Sequence, residues 1–302
     1  MTEGGPAPVA AGHDLGLAGR YSWRLGGTLR EYYVFSLMVG LRGLVGPVLR
    51  DSVARIANPL SYPRLIEYRL VRERLQLDRQ NNLRVLDLGS PKLFFLLLAH
   101  RTSLTLHATD LRPYFFKSSR LFLERLGHAT ELERRLFLET QDATALSYSD
   151  RSFDRVYSIS VVEHIPGSGD SVALREVRRV LKPGGLVALT VPYSADGYKE
   201  TFRNHSVFER EHLDGTPTFY QRHYDKATLF ERIIDPSGLR LIAIDYFGEP
   251  GIKYERHWGR LPGVLKVPLA WTQPFAAQLF LKPLPPSRSA DALGVCVTLQ
   301  AP

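Results

Sequence analysis

The feature that most constrains this chain is a pair of short apolar segments that each lead to a carboxylate. The first, residues 83–87, ends at Asp87 and is followed by Gly89, while the second, residues 104–109, is followed by Asp110. A short apolar run that ends in a glycine turn is typical of a buried parallel strand that leads into a helix. In an open α/β sheet, the carboxyl ends of such strands line one crevice in which ligands bind. The pattern therefore predicts a ligand site that contains Gly89 and Asp110.

The turn between the two carboxylates favours one class of nucleoside cofactor. An acid on the second strand can accept both hydroxyls of a ribose, and Asp110 lies 21 residues after Gly89, close to the roughly 20 expected in dinucleotide folds. A dinucleotide also needs the pattern Gly-x-Gly-x-x-Gly, because its pyrophosphate binds backbone N–H groups. Here the turn has one glycine, and Pro91 offers no N–H. S-adenosylmethionine, which carries no phosphate, fits this turn better than a nicotinamide dinucleotide does.

Composition limits the class of protein and its partners. A chain of 302 residues with 44% hydrophobic residues can bury a full core. The formal net charge of +8 is spread along the chain without a Lys/Arg cluster, so we expect no nucleic-acid partner. An anionic substrate or a membrane surface fits this charge better. The single cysteine, Cys296, excludes a disulfide framework, and because no signal peptide is visible we expect a cytoplasmic protein.

The chain divides into segments of different character. Residues 1–20 are rich in Gly, Ala and Pro and are expected to form a disordered tail. Residues 21–80 are expected to form a helical extension that caps a substrate pocket. Residues 81–302 are expected to form the main domain, with a lid at 193–224 over the strand ends and an aromatic, proline-containing cap insertion at 249–290.

A membrane contact is the alternative interpretation of both cap regions. The apolar stretch at residues 33–49 has Arg42 at its centre, and a central arginine in a spanning helix costs several kcal/mol. We therefore expect no membrane-spanning helix there. An in-plane, peripheral contact remains open for this stretch and for the insertion at 249–290.

Strand and helix patterns alternate through the main domain. This alternation predicts an α/β fold in which a mostly parallel sheet has helices on both faces. The predicted strands are residues 83–88, 104–109, 134–139, 154–160, 185–191, 239–247 and 294–300, and the predicted helices are 92–101, 113–127 and 169–181.

Four signals in this order resemble the class I S-adenosylmethionine-dependent methyltransferases, particularly the small-molecule group often called methyltransferase type 11. They are residues 85–89, Asp110, residues 141–143 followed by 152–156, and residues 163–165 ahead of 180–185. The resemblance covers roughly a third of the chain. It implies a Rossmann-like seven-stranded sheet, S-adenosyl-L-methionine as cofactor, and enzymatic methyl transfer.

The resemblance also implies roles for individual residues. Asp87 and Gly89 would shape the loop near the methionine part of the cofactor, and Asp110 would bind the ribose hydroxyls. The other implied contacts are Leu111 against the adenine, Asp142 on the adenine amino group, Ala143 through its backbone N–H, and Ser158 and Ile159 beside the sulfonium.

The turn after Asp87 departs from the family pattern, which usually continues as Gly-x-Gly. Ser90 and Lys92 stand in this turn. In one interpretation, the Ser90 hydroxyl and Lys92 bind the methionine carboxylate. In the other, cofactor binding has been lost and the protein is a non-catalytic scaffold that binds a partner or membrane through residues 249–290. Because the other signals are intact, we expect binding.

The chemistry expected at the site needs few groups. A methyl group on a sulfonium is already activated, so the protein mainly has to align an in-line displacement and exclude water. A hydroxyl acceptor also needs a base, and His164 is the predicted one, with Tyr193 as a predicted acceptor contact. The available base slightly favours O-methylation of a small-molecule acceptor, either anionic or lipid-like. Glu163 and His164 lack a third metal ligand, so no metal is expected.

Overall fold

The computed structural model describes residues 25–204 and 216–302. The expected tail at residues 1–20 lies outside the described residues, as do two histidines of the expected lid, His205 and His212. Within the described residues, no helix combines the length and the apolar character that crossing a bilayer requires.

An eight-stranded sheet forms the centre of the molecule, with strand order β3-β2-β1-β4-β5-β10-β8-β9. A separate two-stranded sheet pairs β6 with β7 in antiparallel fashion. The strands are β1 (Arg84–Leu88), β2 (Thr105–Asp110), β3 (Leu136–Thr140), β4 (Phe153–Ile159), β5 (Leu181–Pro192), β6 (Lys199–Arg203), β7 (Thr218–His223), β8 (Arg240–Gly248), β9 (Lys282–Leu284) and β10 (Ala292–Gln300).

The strand pairs from β3 to β5 are parallel, and the pairs β5–β10, β10–β8 and β8–β9 are antiparallel. The predicted α/β, mostly parallel fold is confirmed, and a strand lies at each of the seven predicted positions. The predicted count of seven is wrong by one, because Lys282–Leu284 pairs with the edge strand β8. A three-residue strand inside an aromatic insertion gives no alternation by which the sequence could reveal it.

Helices cover both faces of the sheet. The helices are α1 (Leu25–Arg42), α2 (Leu49–Ala57), α3 (Arg64–Arg74), α4 (Lys92–Arg101), α5 (Tyr114–Arg125), α6 (Gly169–Val180), α7 (Lys226–Leu229), α8 (Asp235–Ser237), α9 (Tyr254–Arg260), α10 (Gly263–Leu269) and α11 (Gln273–Phe280). Residues of α1, α3, α4, α5 and α11 share one hydrophobic core with the first face. Residues of α6 and of the segment after α7 share a second core with the other face.

Successive strand residues alternate between the two cores, as the pleat of a strand requires. In β1, Val85 belongs to the first core and Leu86 to the second. Because both faces of the strand are buried, β1 appears in the sequence as a continuous apolar run. The connection from β3 to β4 contains no helix, so residues 141–144 stay at the carboxyl edge of the sheet.

Candidate active site

A cavity of about 640 Å³ opens at the carboxyl ends of β1, β2 and β4. This volume lies within the range of roughly 300–1,000 Å³ that is usual for small-molecule sites. Its walls come from the turns after these strands, from the connection after β3, and from the start of α6. The predicted crevice is therefore present as a real hollow.

Gly89 forms the turn at the floor of the cavity and has a backbone conformation that favours glycine. Its φ is +75°, and a Cβ atom at this position would lie 2.9 Å from Cγ1 of Val161. A side chain would therefore combine left-handed backbone strain with a steric clash. This explains why the β1 turn carries a glycine.

Asp110 and Asp142 place carboxylates on the cavity wall. Oδ1 of Asp110 accepts a hydrogen bond of 3.2 Å from the N–H of Arg112. Burial raises the pKa of Asp110, and the nearby Lys92 ammonium opposes this shift. Oδ1 of Asp142 accepts bonds of 2.8 and 2.7 Å from the backbone N–H and hydroxyl of Thr144. Both side chains are thus held in fixed orientations.

Five of the predicted cofactor residues meet at this cavity. They are Gly89, Asp110, Leu111, Asp142 and Ala143. The exposed ring of Phe115 joins them from α5, together with Ile165 and Val172 from the opposite wall. Ile165 belongs to the signal at residues 163–165, whereas no sequence motif pointed to Phe115 or Val172, because a single apolar residue in a helix usually indicates core packing.

Asp87 and Lys92 form a buried ion pair beside the turn. The Lys92 ammonium donates hydrogen bonds of 2.8 Å to the carbonyls of Ser90 and Thr109, and lies 3.4 Å from Oδ2 of Asp87. Burial raises the pKa of Asp87 to about 6, against the opposing effect of Lys92. Neither side chain is among the residues that line the cavity, so the hollow stays open at Gly89.

Three further predicted cofactor residues lie behind the cavity wall. The Ser90 hydroxyl accepts a hydrogen bond of 2.9 Å from the N–H of Ile159, and both residues are buried. The Ser158 hydroxyl donates to the Leu88 carbonyl at 3.4 Å. The cavity wall at this strand is formed two residues later, by Ser160 and Val161. The apolar pattern located the strand but not the residue at which its backbone turns towards the cavity.

A polar network from α3 reaches the same wall. Arg64 donates hydrogen bonds to Glu67 and, at 2.7 Å, to the Ser160 hydroxyl. Oε1 of Glu67 accepts from the hydroxyls of Ser160, at 2.8 Å, and Thr190, at 3.0 Å. This network was not predicted, because Arg64 and Glu67 lie in the expected helical extension, far in sequence from the hydroxyls they bind.

His164 lies on the cavity wall, in the short turn that follows β4. Its Nδ1 is 2.8 Å from the carbonyl of Tyr220, which requires a hydrogen on Nδ1. The basic lone pair of the neutral ring is therefore on Nε2, which lies 3.8 Å from Oε1 of Glu163. This tautomer is the one that a proton-accepting role needs.

The neighbouring Glu163 is 1% exposed. Burial raises the pKa of its carboxyl to about 8, and its Oε2 has no hydrogen-bond partner among the described residues. Glu163 is therefore protonated over most of the neutral range. The group next to His164 is therefore an uncharged carboxylic acid rather than a carboxylate.

Tyr193 lies away from this cavity. It is buried in the second core, and its ring packs edge-on against Tyr246 with 5.1 Å between ring centroids. The structure thus places the residue after β5 in the core rather than on the cavity wall. The acceptor contact of Tyr193, a residue that is 7% exposed, stays a prediction.

A buried arginine anchors the β6–β7 hairpin to the cavity wall. Arg222 donates hydrogen bonds to the carbonyls of Ile165 and Gly167, the latter at 2.7 Å. Its guanidinium also lies 3.8 Å from the buried Asp170 of α6, which accepts a hydrogen bond of 2.9 Å from the Tyr224 hydroxyl. The hairpin is therefore fixed to the wall beside His164.

In the part of the chain that the structure describes, no cluster of three or more His, Cys, Asp or Glu side chains is arranged to hold a metal ion.

Comparison with known proteins identifies the segment around the cavity. Residues 86–189 match a family model described as a methyltransferase domain. Methyltransferase GfsG of Streptomyces halstedii is 35% identical over 99 residues, which are 30% of this chain and 35% of that protein. The glycine/sarcosine/dimethylglycine N-methyltransferase of Actinopolyspora halophila is 39% identical over 87 residues, 28% of this chain and 15% of that protein. The matches thus span only about a third or less of these relatives.

A solved structure extends the similarity of the fold. The crystal structure of the [4+2]-cyclase SpnF superposes with a TM-score of 0.52 and 19% sequence identity, covering 88% of this chain and 97% of that chain. At this identity the likeness concerns the fold alone. One fold can carry different chemistries, so the activity has to be argued from the cavity.

Proposed function

We propose that this chain, whose residues 86–189 form a class I S-adenosylmethionine-dependent methyltransferase domain, transfers the cofactor's methyl group to an acceptor held near Ser160 and His164. The observation that carries the proposal is the convergence of Gly89, Asp110 and Asp142 on one open cavity. These residues are far apart in sequence and lie at or just after the ends of three different strands. Their convergence supports a nucleoside site.

The cavity suits the adenosine part of S-adenosylmethionine. The Asp110 carboxylate would accept the ribose hydroxyls, and Leu111 and Phe115 supply apolar surface for an adenine ring. Oδ2 of Asp142 accepts none of the hydrogen bonds that Oδ1 takes from Thr144, so it would accept the adenine amino group. When bound, the cofactor supplies a methyl group already activated by the sulfonium.

The variant turn is compatible with this binding. The Lys92 ammonium lies between β1 and β2, where it balances the charge of Asp87 and donates hydrogen bonds to two carbonyls. It leaves the cavity open at Gly89. The buried contacts of Lys92 and Ser90 make both side chains supports of the turn, which speaks against a bond from either one to the methionine carboxylate. The open cavity at Gly89 is what favours retained cofactor binding.

His164 is the group on the cavity wall that we propose to receive a proton from the acceptor. Its Nδ1–H donates to the Tyr220 carbonyl, so the acceptor's proton would go to Nε2. This arrangement supports O-methylation, because a hydroxyl acceptor must lose a proton as the new bond forms. We propose a small-molecule acceptor, either anionic or lipid-like, because the cavity volume is the one usual for small-molecule sites.

Calorimetry on the full chain tests the cofactor assignment. We expect S-adenosylmethionine and S-adenosylhomocysteine to release heat with one site per chain, and NAD to give neither heat nor protection against thermal unfolding. Absence of heat with both sulfur compounds would contradict the proposal and favour a non-catalytic scaffold. Methyl transfer is then measured as S-adenosylhomocysteine formed in the presence of small-molecule and lipid extracts.

A further inference from the structure

Most of the exposed apolar side chains of this protein lie on one group of helices. Of the sixteen large hydrophobic residues exposed in the described chain, twelve belong to α1, the turn after it, α2, α10, α11 and residues 270–272. We call this set the apolar helical surface. Its members are Val34, Leu41, Leu44, Val45, Leu49, Val53, Val264, Leu265, Leu269, Trp271, Phe275 and Leu279.

These residues come from two distant parts of the chain that meet in the fold. Helix α1 packs against α2 and α11, and residues 270–272 contact α2, α10 and α11. The ring of Phe275 in α11 packs edge-on against Tyr33 of α1, with 5.4 Å between ring centroids. The exposed side chains are thus grouped rather than scattered singly over the surface, as single exposed apolar residues usually are.

The turn between α1 and α2 is held in an exposed conformation. Val45 is 78% exposed at its tip. Arg125 of α5 donates hydrogen bonds to the carbonyls of Arg42, at 2.7 Å, and Val45. Arg42 in turn donates to the Arg125 carbonyl at 3.2 Å. The apolar tip is therefore supported by specific bonds to the main domain and is not a loose end.

Basic residues outnumber acidic ones in the two segments that contain this surface. Between residues 32 and 66 the only acidic residue is Asp51, and between residues 256 and 290 there is none. The same two segments contain nine Lys and Arg residues, of which Arg64 belongs to the cavity network and Arg42, Arg50, Arg256 and Arg260 are exposed. Exposed Leu, Val, Phe and Trp side chains next to basic residues are the composition of segments that lie in the interface of an anionic bilayer.

From this grouping we propose that the apolar helical surface docks the protein on anionic lipid bilayers. The apolar side chains would enter the acyl boundary, and the basic residues would contact lipid phosphates. The charge argues for a bilayer over a second copy of this chain, because two copies would bring like charges together. This inference goes beyond methyl transfer and does not depend on cofactor binding.

Vesicle flotation of the full chain tests the proposal. Vesicles of phosphatidylcholine with about one third phosphatidylglycerol should carry the protein, whereas vesicles of phosphatidylcholine alone should carry at least tenfold less. Salt at 0.5 M should weaken the binding, since it screens the charge contribution. No binding to either vesicle, or equal binding to both, would overturn the proposal.

Paired variants locate the contact. Val45→Glu with Leu279→Glu, at positions 78% and 67% exposed, should lower the bound fraction at least tenfold. Phe202→Glu, at a 50% exposed position on β6, is the matched control and should bind as the wild type does. If the double variant does not fold, Arg256→Glu with Arg260→Glu should reduce binding to the anionic vesicles alone. Unchanged binding in the charge-reversal variant would then contradict the proposal.

Light scattering tests the alternative occupant of the apolar helical surface, which is a second copy of this chain. We expect the wild type and the double variant Val45→Glu with Leu279→Glu to be monodisperse and to have the same oligomeric state. If the wild type is a dimer that Val45→Glu with Leu279→Glu converts to a monomer, and no vesicle binding is found, the surface is a subunit interface and the proposal fails. Calorimetry with S-adenosylmethionine on the same samples shows independently whether the cofactor site is intact.

Discussion

The Lys92 ammonium lies 3.4 Å from the Asp87 carboxylate in the interior of the protein, beside the glycine turn that borders the cavity. Breaking a buried ion pair by removing one partner typically costs about 3–5 kcal/mol, because the other charge is left uncompensated. Lys92→Met should therefore lower the free energy of unfolding by about this amount at pH 8, measured by urea denaturation.

The pH dependence of this loss identifies its cause. The pKa of Asp87 is raised to about 6 in the folded protein, so its proton is bound more tightly there than in the unfolded chain. Stability therefore falls as the pH rises from about 4 to 6, and without Lys92 this fall should extend to higher pH. Lys182→Met, which removes a partly exposed ion pair with Asp154 of 2.8 Å, is the control and should cost about 1 kcal/mol or less. Equal losses in both variants would show that Lys92 has no special role.

Gly89→Ala should affect both stability and cofactor binding. The left-handed backbone conformation costs a non-glycine residue about 1–2 kcal/mol, and the clash with Val161 adds to this. Gly184→Ala is the matched control, since Gly184 has a φ of +73° but no atom within 4 Å of an added Cβ. We expect S-adenosylmethionine affinity to fall at least tenfold in Gly89→Ala and to stay unchanged in Gly184→Ala. Similar affinities in the two variants would exclude Gly89 from the site.

Asp110→Ala should weaken S-adenosylmethionine binding at least tenfold, about 1.4 kcal/mol, because it removes a charged hydrogen-bond acceptor from the cavity wall. Calorimetry measures this change directly. Asp150→Ala removes an exposed carboxylate that pairs with Arg179 at 2.9 Å, and it should leave the affinity unaltered. An unchanged affinity in Asp110→Ala would remove this residue from the cofactor site.

His164→Ala should lower turnover by roughly a hundredfold or more while the affinity for S-adenosylmethionine stays the same, as expected for a general base that does not hold the cofactor. Turnover is followed as S-adenosylhomocysteine formed with an active extract. His257→Ala is the control, because the Nδ1 of His257 also lies within hydrogen-bonding distance of a backbone carbonyl, that of Lys253 at 2.6 Å, but on the exposed α9. Normal turnover in His164→Ala would assign the proton transfer to another group.

Glu163 should make the stability of the protein depend on pH near neutrality. Burial raises the pKa of this carboxyl from 4.5 to about 8, so the folded state holds a proton that the unfolded state has lost. Wild-type stability should therefore fall, by several kcal/mol relative to Glu163→Gln, as the pH rises from about 5 to 8. The exposed Glu133→Gln is the control and should show no such trend against the wild type. A difference between wild type and Glu163→Gln that does not change with pH would refute the buried, protonated state.

The sequence predicts the sheet well because its central strands are buried on both faces. Such strands appear as continuous apolar runs, and the rule for strand ends then brings Gly89 and Asp110 together. The order of the remaining signals adds Asp142 and Ala143 to the same edge. Gly89 and Asp110 thus follow from local pattern and topology, whereas Asp142 and Ala143 follow from the resemblance to the methyltransferase family.

What the sequence did not reveal depends on contacts between distant residues. The hydrogen bonds of Ser90 and Lys92 inside the turn cannot be read from their positions in the chain. The wall at β4 lies at Ser160 rather than Ser158, because the point at which a strand leaves the sheet is set by its neighbours. Tyr193 was predicted to contact the acceptor because it follows β5, but its ring packs against Tyr246 in the core.

The hydrogen bonds that Glu67 accepts from Ser160 and Thr190 have a consequence for how this protein can be divided or recombined. Helix α3 precedes the segment that matches the methyltransferase family. Its Glu67 nevertheless accepts hydrogen bonds from the hydroxyls of Ser160 and Thr190, at the carboxyl ends of β4 and β5. A chain shortened to begin at β1 would leave those hydroxyls unpaired and uncover the apolar residues on which α3 rests. A transfer of these strands into a related protein would therefore have to include Arg64 and Glu67.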